Sequence, residues 1–241
     1  MRKPNHSVLG TNRIADRPPL WKQWLSYFVE FHLESAPSDY NPHLYVALRQ
    51  GRYQLCSENA VYSYGDLYTN FFDAFQTLHI QKLPIRNVLV LGLGLGSIPL
   101  MLERNFKRSY EYTAVEIDDS VIYLAQKYVL HELESSITCI QADAFNYVQQ
   151  ATDQFDLICM DIFLDDLIPT KFASLTFLKN LQKLIKPNGL LLYNRLSLTP
   201  DDREQTLHFY RKHFKEVFPR ATYLDVQTNF MLINRNDLFH S

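Results

Sequence analysis

Apolar residues recur along the chain in successive regimes. Over residues 20–34, Leu20, Trp24, Phe28 and Phe31 fall at helical spacing, while Lys22, Gln23 and Glu30 are free to face water. This predicts an amphipathic helix carrying both tryptophans, Trp21 and Trp24. Its polar face is too weakly basic for a membrane-surface helix, so packing on the body or on a second subunit is expected. Over residues 41–64 the period changes to two. Leu44, Val46 and Leu48 alternate, Gln50-Gly51 offers a turn, and Tyr53 and Leu55 alternate again, the pattern of a β-hairpin. Residues 66–78 return to a helical stripe of Leu67, Phe71, Phe75 and Leu78.

From Asn87 onward strands and helices alternate. Strands are predicted at 88–91, 112–116, 137–141, 155–160 and 190–193. Helices are predicted at 98–106, 119–130, 144–150 and 171–185. Continuous apolar runs such as Val88-Leu89-Val90-Leu91 suit a parallel sheet covered on both faces. Lys186-Pro187-Asn188-Gly189 reads as a turn, and Pro200-Asp201-Asp202 as the first turn of a helix to 217. Two last strands, 221–226 and 230–234, are joined by a link too short for a crossover and must run antiparallel. The expected fold class is α/β: a doubly wound, Rossmann-like, seven-stranded sheet ending in an antiparallel hairpin, with an N-terminal helix and β-hairpin in front. The chain divides into a polar, slightly basic flexible arm (1–19), the helix and hairpin extension (20–80) and the Rossmann-like domain (81–241).

Composition narrows the function. The 241 residues carry 24 basic and 26 acidic side chains, a net charge of −2. That balance disfavours a general nucleic-acid binder, which needs a basic face. No apolar stretch approaches the roughly 18–20 residues of a membrane span. The N-terminus lacks the apolar region of a secretory signal. Three scattered cysteines fit neither a disulfide framework nor a zinc site, so a reducing, cytoplasmic compartment is the default expectation.

Glycine is scarce: 7 in all, three of them at Gly92, Gly94 and Gly96. The run VLVLGLGLGSIPL leads from a strand through this loop into a helix, a place where backbone can turn sharply and lie against a ligand. Glu116, at the end of the next predicted strand, is placed to take both hydroxyls of a ribose. The dinucleotide pattern would want glycine or alanine at position 97, which is Ser97. That residue and the closing hairpin argue against a NAD-linked reductase.

GxGxG spacing and a terminal antiparallel hairpin resemble the class I S-adenosylmethionine-dependent methyltransferases. The runs VLVLGLGLGS, AVEIDDSVIYLAQKY, CIQADAFNYV, FDLICMDIF and LIKPNGLLLYN carry the resemblance. With the hairpin and ENAVYSYGDLY ahead of the loop, the chain resembles the spermidine synthase-like group. The resemblance implies S-adenosylmethionine as cofactor, bordered by Gly92, Gly94 and Gly96. It implies that Glu116 binds the ribose, that Ile117 lines the adenine, and that Asp143 and Ala144 reach the adenine edge. Asp143 also precedes a predicted helix and is a natural N-cap. Asp161 matches the catalytic base, Gln54 a glutamine near the nucleoside, and Tyr64 a tyrosine near the active site.

The chain also departs from the group's pattern. Leu95 stands where aminopropyltransferases carry an aspartate for the cofactor's ammonium. The acids after the fourth strand, Asp165 and Asp166, are displaced, and Gly65 replaces a Gln or His. These departures suit a cofactor that keeps its carboxylate. The expected activity is therefore methyl transfer to an unknown small-molecule acceptor, with Asp161 as base. Asp165 would attract a cationic acceptor together with Asp166, unless the two form a solvated loop pair. Asn194 and Arg195 are expected to face the crevice. The alternatives are an aminopropyltransferase with an altered substrate site, or a non-catalytic binding or assembly protein. The related family is often dimeric, so a homodimer is among the expected partners, with no nucleic acid and no membrane.

Overall fold

The structure is a computed structural model that describes residues 15, 17–57, 61–65, 68–163 and 168–239. Asp165 and Asp166 lie outside the described residues, as does most of the 1–19 segment. The chain opens with α1 (Leu20–Leu25), followed by β1 (Phe31–Ser35), β2 (Tyr45–Arg49), β3 (Arg52–Cys56) and β4 (Val61–Ser63). These four strands form an antiparallel sheet in the order β1-β2-β3-β4. The α/β body then follows as α2 (Thr69–Thr77), β5 (Asn87–Leu91), α3 (Ser97–Arg104), β6 (Glu111–Glu116), α4 (Asp119–Tyr128), β7 (Ile137–Gln141), α5 (Ala144–Gln150) and β8 (Phe155–Met160). It closes with α6 (Leu175–Lys183), β9 (Ile185–Leu196), α7 (Pro200–Phe209), β10 (Thr222–Val226) and β11 (Asn229–Ile233).

The second sheet has seven strands in the order β10-β11-β9-β8-β5-β6-β7. Strands β5 to β9 pair in parallel, and the β10–β11 hairpin joins β9 antiparallel. Alternation explains its apolar runs. Val88 and Val90 of β5 enter one core layer, and Leu89 and Leu91 enter the other. Leu190 and Leu192 of β9 likewise oppose Leu191 and Tyr193. Both faces are buried, so no polar side is left to show an alternating pattern. The chain crosses from β5 to β6 on one side, and β8 lies on the other. Beside β5 the winding reverses, and a crevice opens at the strands' carboxyl ends.

The helix expected over 20–34 is corrected. Only Leu20–Leu25 is helical, and none of its residues is buried. Phe31–Ser35 instead pairs with β2, Phe31 opposite Leu48 and Ser35 opposite Tyr45. Ser26 ends the helix, its hydroxyl accepting a hydrogen bond from the Gly51 amide at 2.8 Å. Strand pairing satisfies backbone groups that an isolated helical turn could not, and this overrides the side-chain spacing. The apolar stripe therefore does not pack on the body: Trp21, Trp24 and Phe28 are 62%, 65% and 73% exposed. The expected hairpin is present as β2–β3 but lies inside a four-stranded sheet. Residues 186–189, expected as a turn, begin β9, with Asn188 in the left-handed region (φ 66°). Among the described residues, no helix is long and apolar enough to cross a membrane.

Candidate active site

The site begins where β5 ends. The sheet ladder continues one residue past the strands: the Gly92 amide donates to the Val115 carbonyl at 3.0 Å, and the Asp161 amide to the Leu91 carbonyl at 2.8 Å. On the other side the Ala142 amide donates to the Glu116 carbonyl at 2.9 Å. These bonds set Asp161, Gly92, Glu116 and Ala142 in one row along the crest of the sheet. At Gly92 φ is +89°, and a Cβ would stand 2.3 Å from the Asp161 carbonyl oxygen, so only glycine fits. A cavity of about 630 Å³ lies over this row. Gly92, Gly94, Glu116, Ile117, Asp143, Ala144 and Asp161 all line it. Gly96 does not. It is the left-handed N-cap residue of α3 (φ +84°), where a Cβ would meet Leu130 at 2.6 Å.

Among the described residues, backbone amides hold Glu116. One carboxylate oxygen accepts from the Leu93 amide (3.0 Å), the other from the Ile117 (2.8 Å) and Asp118 (3.2 Å) amides. Burial pushes its carboxyl up, and the three amides offset part of that rise. Three donors leave a carboxylate at least one acceptor position, and Glu116 lines the cavity. Asp143 is both N-cap and ion-pair partner. It accepts from the Phe145 amide at 2.8 Å and is bonded by Lys171 Nζ. Burial raises its carboxyl, but the Lys171 and backbone hydrogen bonds prevail and hold it below the usual carboxylate range.

Among the described residues Asp161 has neutral hydrogen-bond partners. Its Oδ1 accepts from Asn194 Nδ2 at 2.9 Å and from the Tyr68 hydroxyl at 3.1 Å. Burial pushes its carboxyl up to about 6, against the opposing effect of those two hydrogen bonds. Asn194, fully buried on β9, is fixed in turn by Asn229 Nδ2, which donates to its Oδ1 at 2.9 Å. A carboxyl of this kind facing a cavity can exchange a proton near neutral pH.

The structure does not bring every expected residue to the cavity. Gln54 is buried on β3, but its neighbour Leu55 lines the cavity. Strand alternation turns Gln54 to the opposite face, with Oε1 unpartnered among the described residues. Tyr64 is also displaced: its hydroxyl donates to Gln50 Oε1 at 2.5 Å on the outer side. Asn194 supports Asp161 from behind rather than lining the cavity. Arg195, one residue on, points the other way and stacks its guanidinium on Phe209 at 4.2 Å. Sequence reasoning missed Tyr68, Asn229, Asp118, Ser63 and Ser97, all of which line the cavity. Asp118 caps α4 and accepts from Ser38 Oγ (2.5 Å) and Asn41 Nδ2 (3.2 Å), tying the N-terminal extension to the crest. A signal for Tyr68 was present in its place four residues past Tyr64 and just before the first turn of α2.

Comparison with known proteins finds similarity to transferases. Over 135 residues the chain is 29% identical to a polyamine aminopropyltransferase of Vibrio vulnificus, covering 54% of this chain and 44% of that protein. It is 26% identical over 159 residues to the eEF1A lysine and N-terminal methyltransferase of Xenopus laevis, covering 62% of this chain and 22% of that protein. The chain thus spans less than half the length of either curated relative. The crystal structure of human methyltransferase-like protein 13 in complex with SAH shares the fold. Its TM-score is 0.56 at 22% identity, over 69% of this chain and 82% of that one. Residues 77–236, from the end of α2 to just beyond β11, match the spermine/spermidine synthase domain, and the chain belongs to that family.

Proposed function

We propose that this chain transfers a methyl group from S-adenosylmethionine to a small-molecule acceptor presented at Asp161. The observation that carries the reading is Leu95, whose side chain is 1% exposed and sits in the core rather than on the cavity wall. No carboxylate in the glycine loop faces the ligand, so the ammonium of a decarboxylated cofactor would be left without its counter-charge, at a cost of about 1–3 kcal/mol. The residues fit a nucleoside: Glu116 keeps acceptor capacity toward the cavity, and Gly92 and Gly94 leave the loop without a Cβ there. In this reading Glu116 holds the ribose, and Ile117, Asp143 and Ala144 border the adenine.

When bound, S-adenosylmethionine supplies an activated methyl on a sulfonium. The protein supplies position and a proton acceptor. Asp161 accepts the acceptor's proton, and Tyr68 and Asn194 keep one of its oxygens engaged so that the other is directed at the cavity. A carboxyl near 6 is ionised at pH 7 yet basic enough for the task.

Aminopropyl transfer is the second reading, favoured by the likeness to the Vibrio polyamine aminopropyltransferase. Product analysis separates the two. Incubation with S-adenosylmethionine and a panel of small acceptors should release S-adenosylhomocysteine. Incubation with decarboxylated S-adenosylmethionine and putrescine should release no methylthioadenosine. The reverse outcome would replace the first reading with the second.

A further inference from the structure

Between β4 and α3 the cavity is lined by a pair of hydroxyls that the reaction above does not use. Ser63 Oγ and Ser97 Oγ lie 2.5 Å apart, both lining the cavity, with their residues 2% and 5% exposed. Two hydroxyls carry two hydrogens. One is spent in the bond between them, and the other has no acceptor among the described residues. A buried donor left unmade is costly, so the arrangement calls for an acceptor from the ligand.

The surroundings name the kind of acceptor. Ser97 is the first residue of α3, and its amide and that of Ile98 belong to the turn whose N–H groups have no intrahelical partner. Leu55, Gly94 and Ile98 also line the cavity, none of them acidic, and Leu95 is withdrawn into the core. Donors without a counter-anion at a helix start suit a carboxylate. They offer an ammonium no charge.

We propose that the Ser63–Ser97 pair receives the α-carboxylate of the cofactor's amino-acid tail, and so selects S-adenosylmethionine over its decarboxylated form. This rests on the nucleoside reading of the cavity: with the ribose on Glu116 and the adenine toward Ile117 and Asp143, the tail runs from Gly94 toward Ser97. The pair is then a specificity determinant that discriminates between the two transferase chemistries of the family at the level of binding.

The test is calorimetry on the full chain with three ligands: S-adenosylmethionine, decarboxylated S-adenosylmethionine and methylthioadenosine, which lacks the tail. Wild type should prefer S-adenosylmethionine over the decarboxylated form by about tenfold or more, the scale of a hydrogen bond to a charged group. Ser63→Ala and Ser97→Ala should each shrink that preference, and the double variant should bring it near unity. Methylthioadenosine affinity should stay within about twofold throughout, since the nucleoside half is untouched. A wild-type ratio of one, or a preference that survives in the double variant, overturns the proposal. Methylthioadenosine affinity that falls in parallel in the variants also overturns it, because the pair would then support the fold rather than the tail. If methylthioadenosine fails to bind wild type, the nucleoside reading itself falls and takes this inference with it.

Discussion

Replacing Asp161 with asparagine should make the protein more stable and far less active. The side chain keeps its shape, and its Oδ1 can still accept from Asn194 Nδ2 and the Tyr68 hydroxyl. What disappears is the charge. A carboxyl raised from 3.8 to about 6 by burial holds its proton more tightly when folded than when unfolded. Between those two values the native state binds more protons, so wild-type stability falls as pH rises through the window and stays lowered above it. At about 1.4 kcal/mol per pH unit the loss amounts to about 3 kcal/mol at neutral pH, an upper figure that asparagine escapes. Urea unfolding of wild type and Asp161→Asn from pH 4 to 8 measures it. Their difference should be small near pH 4, grow up to pH 6–7 and level off at about 1–3 kcal/mol in favour of the variant. Turnover with an acceptor that must lose a proton should fall by about 10²–10⁴. A stability difference independent of pH, or a variant weaker than wild type at pH 7.5, would refute the assignment of a buried, functionally strained carboxylate.

Other perturbations have equally definite outcomes. Tyr68→Phe removes a donor that holds the Asp161 carboxyl down, so the acidic limb of the kcat/KM profile should move to higher pH; an unmoved limb would separate Tyr68 from the reaction. Gly92→Ala forces a Cβ to within 2.3 Å of the Asp161 carbonyl at a φ of +89°, and denaturant unfolding should show a loss of about 3 kcal/mol or more. Wild-type-like stability there would mean the crest is not packed as described.

The sequence made the sheet legible because its information is local. The continuous apolar strands β5, β8 and β9 and the glycine loop between β5 and α3 need no knowledge of their neighbours. The same holds for Glu116, which closes β6, and Asp161, one residue past β8, which line the crevice at the carboxyl ends of their strands. What was misread depends on contacts distant in sequence. Trp24 and Phe28 mimic a helical stripe, but Phe31–Ser35 is claimed by β2. Gln54 and Tyr64 stand in a segment whose facing is set by pairing within the four-stranded sheet, and a shift of one residue exchanges inside for outside. Arg195 fails for the same reason beside Asn194. Tyr68 meets Asp161, Asn229 meets Asn194 and Ser63 meets Ser97 only across long sequence separations, and Asn229 sits on the hairpin that closes the chain.

Binding of S-adenosylhomocysteine by wild type and Glu116→Gln, followed calorimetrically, is the most direct trial of the nucleoside site. One-to-one binding to wild type is expected, weakened at least about tenfold in the variant as the ribose loses a charged acceptor. No heat at millimolar ligand, or equal affinity in the two proteins, would contradict it.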